Sequence, residues 1–174
     1  MELCVPNSSA HTFRQRVAML GIDRETLQVL SYVYPFVSQR IDSIIERFYA
    51  HMLTFPEGRR IFEKPEVLGR LRQAQRQHWL SLFDGDLSAE YRKRAQRIGQ
   101  VHYAKGVAPY LYIAGYNFFQ CEILSALSER YRSDLRLAEI LTAVTRVVSL
   151  DMDLSISVYT RELWRDSSES VMVG

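Results

Sequence analysis

Apolar positions recur at three- and four-residue steps along most of the chain, the spacing that lines one face of an α-helix. Val37, Ile41, Ile44, Ile45, Phe48 and Met52 form the clearest stripe, an amphipathic helix of about five turns. Phe55-Pro56 stops it, because proline brings no N–H to continue the ladder. Upstream, Asp23 is an N-cap with Glu25 in the first turn, which predicts a short helix to about Tyr34 and lets Pro35 open the next one. Phe13 to Met19 gives one helical turn after an irregular lead. Gly58 to Phe62 is another short turn of helix. Pro65 then opens a helix through Phe83, with Leu68, Leu71, Trp79 and Leu82 on one face and Asp84-Gly85-Asp86 at its end. Ser88, three residues before Tyr91, caps a basic helix from Ala89 to about Lys105, and Gly106 follows its end. Pro109 begins an aromatic helix to about Arg132. Ser133-Asp134 caps a last helix that runs to Trp164, roughly 45 Å at 1.5 Å per residue.

No segment alternates as a strand does, and there is no repeat or low-complexity stretch. About seven to eight helices joined by short Pro/Gly-marked turns make an all-α fold with orthogonal packing rather than an up-down bundle. The expected divisions are a lead at 1–22, one globular domain at 23–165, and a frayed tail or linker start at 166–174 around Ser167-Ser168-Glu169-Ser170.

Composition narrows the class. The chain has 174 residues, 47% apolar and 24% charged, with 22 basic against 20 acidic side chains, which suits one domain with a real core and excludes disorder. A net charge of +2 is too small for a nucleic-acid binder. Cys4 and Cys121 make neither a disulfide framework nor a zinc spacing, and Cys121 reads as a small core residue. No apolar run reaches spanning length and no signal peptide opens the chain, so the expected location is cytoplasmic.

His102 is the most informative residue. It lies near the axis of the stripe formed by Tyr91, Ala95, Ile98 and Val101. A core-facing histidine needs partners for its ring nitrogens, and on periodicity alone a buried histidine bonded to a carbonyl is the simpler reading. An enclosed imidazole with one free nitrogen is also what a haem iron requires on its proximal side. Gly99, one turn earlier, lets either a flat macrocycle or a neighbouring helix approach closely.

The surrounding residues add to this. Ile98-Gly99-Gln100-Val101-His102-Tyr103-Ala104-Lys105-Gly106-Val107-Ala108-Pro109, followed by Tyr112 and Ala114, resembles the proximal segment of globin-coupled sensors. Glu46-Arg47-Phe48-Tyr49 with Leu53 and Pro56 resembles that family's distal Phe-Tyr motif, and Leu71 to Phe83 resembles its helix across the distal face. The three matches are collinear from about residue 25 to 160. The resemblance implies a globin fold with an extra N-terminal segment, haem b as cofactor and His102 as the metal's axial ligand. It makes Tyr49 a distal hydrogen-bond donor, since a fixed phenol in a dry pocket stabilises partial negative charge on a bound gas, which favours O2 over CO. The plain alternative is a core tyrosine bonded to a carbonyl. Tyr112 corresponds to a family tyrosine near the proximal histidine, where a hydroxyl tunes the imidazole; with Tyr116, Phe119 and Ile123 it also forms an ordinary core stripe.

The crossing helix departs from the family pattern. Ala74 stands where several relatives carry Ser or Thr and cannot donate. Gln75, near the centre of its stripe, is either the substitute distal group or is rotated outward. Leu71 is an apolar gate over the iron. His78 reaches the haem edge or a propionate, or is a partly exposed surface residue. Phe48 and Ile98 complete the expected cofactor-binding set. Arg92, Lys93, Arg94 and Arg97 read as a solvated face, with propionate pairing the minor alternative. His11 and His51 have no partner at ligand spacing.

The last helix carries Leu137, Ile140, Leu141, Val144, Val147, Val148, Leu154, Val158 and Tyr159. With Phe118 and Leu124 on the preceding helix, that width suggests a homodimer through the last two helices. The expected function is a non-enzymatic oxygen-sensing domain, binding O2 and in principle CO or NO. Its output is a partner domain such as a diguanylate cyclase or chemotaxis transducer. The alternatives are a haem-free globin-like dimerisation or stress-sensor module, and a stand-alone globin with O2 or NO chemistry.

Overall fold

The computed structural model describes the backbone of residues 10–62 and 65–172, with side chains over 13–62, 68–159 and 161. Seven helices and no strand are found among these residues: α1 Ala10–Met19, α2 Arg24–Met52, α3 Pro56–Ile61, α4 Pro65–Phe83, α5 Ala89–Ala104, α6 Pro109–Arg130 and α7 Leu137–Met172. The all-α expectation holds. Cys4 and His11 lie outside the described side chains.

α2 differs from the expected pair of helices. It is one helix of 29 residues with Pro35 inside it. Asp23 starts it through a capping box: its Oδ1 accepts from Thr26 N at 2.8 Å, and its own N–H donates to Thr26 Oγ1. Pro35 removes one ladder bond, but it sits on the exposed face. Ser31, whose carbonyl loses that bond, is exposed to water there. On the opposite face Leu30, Val33, Val37 and Ile41 stay buried without interruption, so core burial carries the helix through the proline.

Ser88 Oγ accepts from Tyr91 N at 3.3 Å and begins α5. Gly106, at φ 65°, turns the chain out of it, and Pro109 occupies the first turn of α6. α7 lies at the centre, packing against α2, α5 and α6, while α4 lies across α2. Its start is an Asx turn in which Asp134 Oδ1 accepts from Arg136 N at 2.9 Å.

Three further expectations change here. α7 passes Trp164 and continues through Ser167–Ser170 to Met172, although side chains beyond Arg161 are outside the described set. The wide apolar face of α7 is covered by the chain itself: Ile140, Val144, Val147, Val148, Leu154, Val158 and Tyr159 are all buried, because helices pack on α7 from several sides. That width therefore does not call for a second copy. Cys121 is exposed on α6 rather than in the core, since the buried stripe of that helix runs through Tyr112, Tyr116, Phe119, Ile123 and Leu127.

Candidate functional site

His102 is half-buried near the end of α5. Its Nδ1 lies 2.8 Å from the carbonyl oxygen of Ile98, one turn back. A carbonyl only accepts, so Nδ1 carries the proton and Nε2 keeps its lone pair. Among the described residues Nε2 has no hydrogen-bond partner. Burial pushes the His102 pKa down, only partly countered by the Ile98 bond, with His78 lowering it further. The imidazole is thus neutral, oriented and free at one nitrogen, which is the donor a metal takes.

Gly99 serves the neighbouring-helix alternative. A Cβ there would fall 2.4 Å from the backbone oxygen of Ser155, so the glycine lets α5 cross α7 at close range. Ser155 Oγ reinforces the crossing by donating to Ala95 O at 3.0 Å. His102 is thereby held on a helix clamped to the central one.

Tyr112 is buried against His102, ring centroids 4.9 Å apart and nearly perpendicular. The expected hydroxyl bond toward the imidazole is not made. Tyr112 Oη instead donates to Tyr116 Oη at 3.0 Å, so the tyrosine steadies the imidazole with its ring, and the Ile98 carbonyl sets the imidazole's tautomer.

Tyr116 leads to a group that the sequence reading missed. Asp151, on α7, is fully buried. Its Oδ2 accepts from Tyr116 Oη and lies 3.0 Å from His78 Nε2; its Oδ1 accepts from Tyr91 Oη at 2.8 Å. Burial pushes the carboxyl pKa up, but the charge and hydrogen bond of His78 and the bonds from Tyr116 and Tyr91 outweigh it and leave the pKa below the ordinary aspartate value. Burial and the nearby carboxylate push Tyr91 and Tyr116 well above 10. His78 is therefore neither at the surface nor free: it turns inward to this carboxylate. A signal for Asp151 existed, a lone carboxylate three and four residues from Leu154 and Val147 on an apolar face, a placement that requires partners.

Tyr49 is buried on α2, its ring 5.1 Å from both Phe48 and Phe62 and under the Arg72 guanidinium. Its hydroxyl bonds no carbonyl among the described residues, and burial raises its pKa to about 12. An aromatic series runs from it to Tyr116, Phe48 to Phe119 at 4.8 Å, Phe119 stacked on Trp79 at 4.6 Å, and Trp79 to Tyr116 at 5.5 Å. On α4, Gln75 Oε1 accepts from Trp79 Nε1 at 3.0 Å, so its amide oxygen is engaged within its own helix. Leu71 is half-buried and Ala74 exposed. The basic run faces solvent or neighbours: Lys93 pairs with Glu90 at 3.0 Å, and Arg92 lies over Phe13. His51 stacks on Phe118.

Contrary to the stripe read for α5, Val101 is 49% exposed, and on the first turns of α6 Tyr110 and Ile113 are 61% and 46% exposed. These apolar side chains flank the His102–Tyr112 contact in sequence, and uncovered apolar groups beside a free donor suit a largely apolar ligand. With His102 as donor, this set fits the haem that the resemblance implies. A groove of about 510 Å³ lies elsewhere, between α2 and α6. It is lined by charged side chains such as Arg40 and Arg130, includes none of these site residues, and has Arg47 tied to Glu122 at 2.9 Å.

An all-α fold of crossing helices with one oriented, half-buried histidine has the architecture expected of a globin domain. The protoglobin family model matches residues 9–165, and the chain belongs to that family. The heme-based aerotactic transducer HemAT of Halobacterium salinarum is 27% identical over 135 residues, which are 77% of this chain but 27% of the transducer. Among solved structures, the globin domain of the Geobacter sulfurreducens globin-coupled sensor matches with a TM-score of 0.79 at 20% identity, over 84% of this chain and 96% of that one. The ferric globin domain of E. coli DosC matches with a TM-score of 0.67 at 14% identity, over 87% and 99%. The fold is that of the globin domains of globin-coupled sensors. No helix among the described residues is long and apolar enough to cross a membrane.

Proposed function

We propose that this chain is a gas-sensing domain that binds haem b through His102 and reports O2 occupancy through α7. The observation that carries the reading is the state of His102: neutral, with Nδ1 engaged by Ile98 and Nε2 unpartnered among the described residues. When bound, the haem iron supplies a site for a diatomic gas. Tyr49 provides the distal donor, because its hydroxyl meets no acceptor among the described residues and, with its pKa raised to about 12, stays protonated at any physiological pH. Leu71 and Phe48 keep that side apolar, which strengthens a single hydrogen bond there. Tyr112 restrains the imidazole plane, and α7 carries the consequence outward, since it touches the elements on both sides. Self-association through α6 and α7 rests on the half-buried Phe118, Leu124 and Leu141.

Absorption spectra of the purified chain supplied with haem test this directly, recorded oxidised, after dithionite and after readmitting oxygen. A reversible oxygen-dependent spectrum that His102→Ala abolishes is expected. A folded chain that stays colourless with haem in excess overturns the reading and leaves the haem-free module in front.

A further inference from the structure

A carboxylate at the centre of a helix's apolar face is expensive, several kcal/mol before compensation. Asp151 is 0% exposed, and its neighbours on that face, Val147 and Leu154, show that an aliphatic residue suits the register. What the carboxylate adds is geometry. Its two oxygens receive Tyr91 from α5, Tyr116 from α6 and His78 from α4, so one residue of α7 holds three other helices. His78 Nε2, 3.0 Å from Asp151 Oδ2 and 3.3 Å from Tyr116 Oη, ties α4 to α7 and α6.

We propose that Asp151 is a positioning residue for His102. The path has three links. Asp151 fixes the Tyr116 hydroxyl; that hydroxyl is the acceptor for Tyr112 Oη at 3.0 Å; and the Tyr112 ring, so held, meets the His102 imidazole edge-on at 4.9 Å. Without the carboxylate, Tyr116 has no buried anionic acceptor, so the hydroxyl that Tyr112 donates to is no longer fixed, and of the anchors of Tyr112 only its bond with Ser155 is left as it was. The same residue fixes α4 through His78, so the distal helix and the proximal imidazole are placed from one point on α7. This inference rests on His102 being the ligand-bearing residue of the proposed function, but its first readout needs no haem.

The test compares Asp151→Asn, Tyr116→Phe and a control, Val33→Ala, which removes buried apolar volume on α2 without touching the network. In the haem-free chain, the ring-proton resonances of His102, assigned with His102→Ala, are read by NMR. Asp151→Asn and Tyr116→Phe are expected to move them, through the altered ring current of Tyr112, while Val33→Ala leaves them in place. In the haem-loaded chain, transfer of haem to a scavenger globin is expected to run about 10-fold faster in both network variants, the lower end of what lost outer-shell support costs a metal site. His102 resonances that ignore Asp151→Asn, or that shift equally in Val33→Ala, overturn the proposal. If Asp151→Asn does not fold, Tyr116→Phe decides, since it keeps the carboxylate with its Tyr91 and His78 partners. A chain that never takes up haem sinks the functional reading; an imidazole indifferent to the network sinks this one.

Discussion

Tyr159 presents the opposite case to Asp151, a buried polar group with no partner among the described residues. Its hydroxyl is fully buried and makes no hydrogen bond among the described residues, its ring lies between Tyr112 and Tyr103, and burial raises its pKa to about 12. A buried hydroxyl left unsatisfied costs about 1–3 kcal/mol. Tyr159→Phe keeps the ring contacts and removes that cost, so the haem-free chain is expected to gain about 1 kcal/mol in urea unfolding. A loss of stability instead assigns the hydroxyl a bound water. Neither Tyr159 nor Asp151 was legible as a site residue, although both stand on a stripe that periodicity identifies. The 3.6-residue period reports which face is buried, not which polar atoms meet there. Residues with local signatures came through as structure: Asp23 and Ser88 as helix caps. Roles that depend on a partner from another helix did not. The hydroxyl of Tyr112 turns to Tyr116, and His78 turns to Asp151, each across helices whose crossing the sequence does not encode locally.

At the scale of elements, the α5–α7 crossing governs the site. Two helices approach this closely only where one lacks a side chain, and Gly99 meets Ser155 O at a distance no Cβ tolerates. Gly99→Ala gains helix propensity, yet the methyl has to displace backbone rather than a flexible side chain. The clash wins, with an expected net loss of about 1–3 kcal/mol in chemical denaturation, and His102, three residues on, moves with α5. Unchanged or higher stability would show that the helices separate freely. Helix positions were largely readable because capping residues, Gly and Pro mark their ends. The exception is Pro35, which reads as a boundary from local chemistry but lies inside α2 because Leu30, Val33, Val37 and Ile41 form one continuous buried row. Tertiary burial overrides the break.

For the molecule as a whole, the centrality of α7 makes the fold sensitive to acid through one group. Asp151 keeps a pKa below the ordinary 3.8 in the fold, so at acid pH the unfolded chain binds a proton that the folded chain does not. Stability contributed by this carboxylate is therefore complete above the unfolded value and is lost as pH falls through the folded one. The groups facing it are His78 from α4, Tyr91 from α5 and Tyr116 from α6; both tyrosines stay protonated far above this range, so they donate throughout. Asp23 and Asp134 have lowered pKa values as well, from bonds to Thr26 and Arg136, but both are common to wild type and variant. They cancel in a comparison with Asp151→Asn. The difference in urea midpoint between the two proteins is expected to be widest near neutral pH and to narrow as pH falls below about 5, where the unfolded carboxyl begins to take up its proton, until the folded carboxylate is protonated too, below the ordinary 3.8. A difference that stays constant as pH falls from neutral through the carboxylate range would mean that Asp151 acts by shape alone, and that its ionised form does not bind the four helices together.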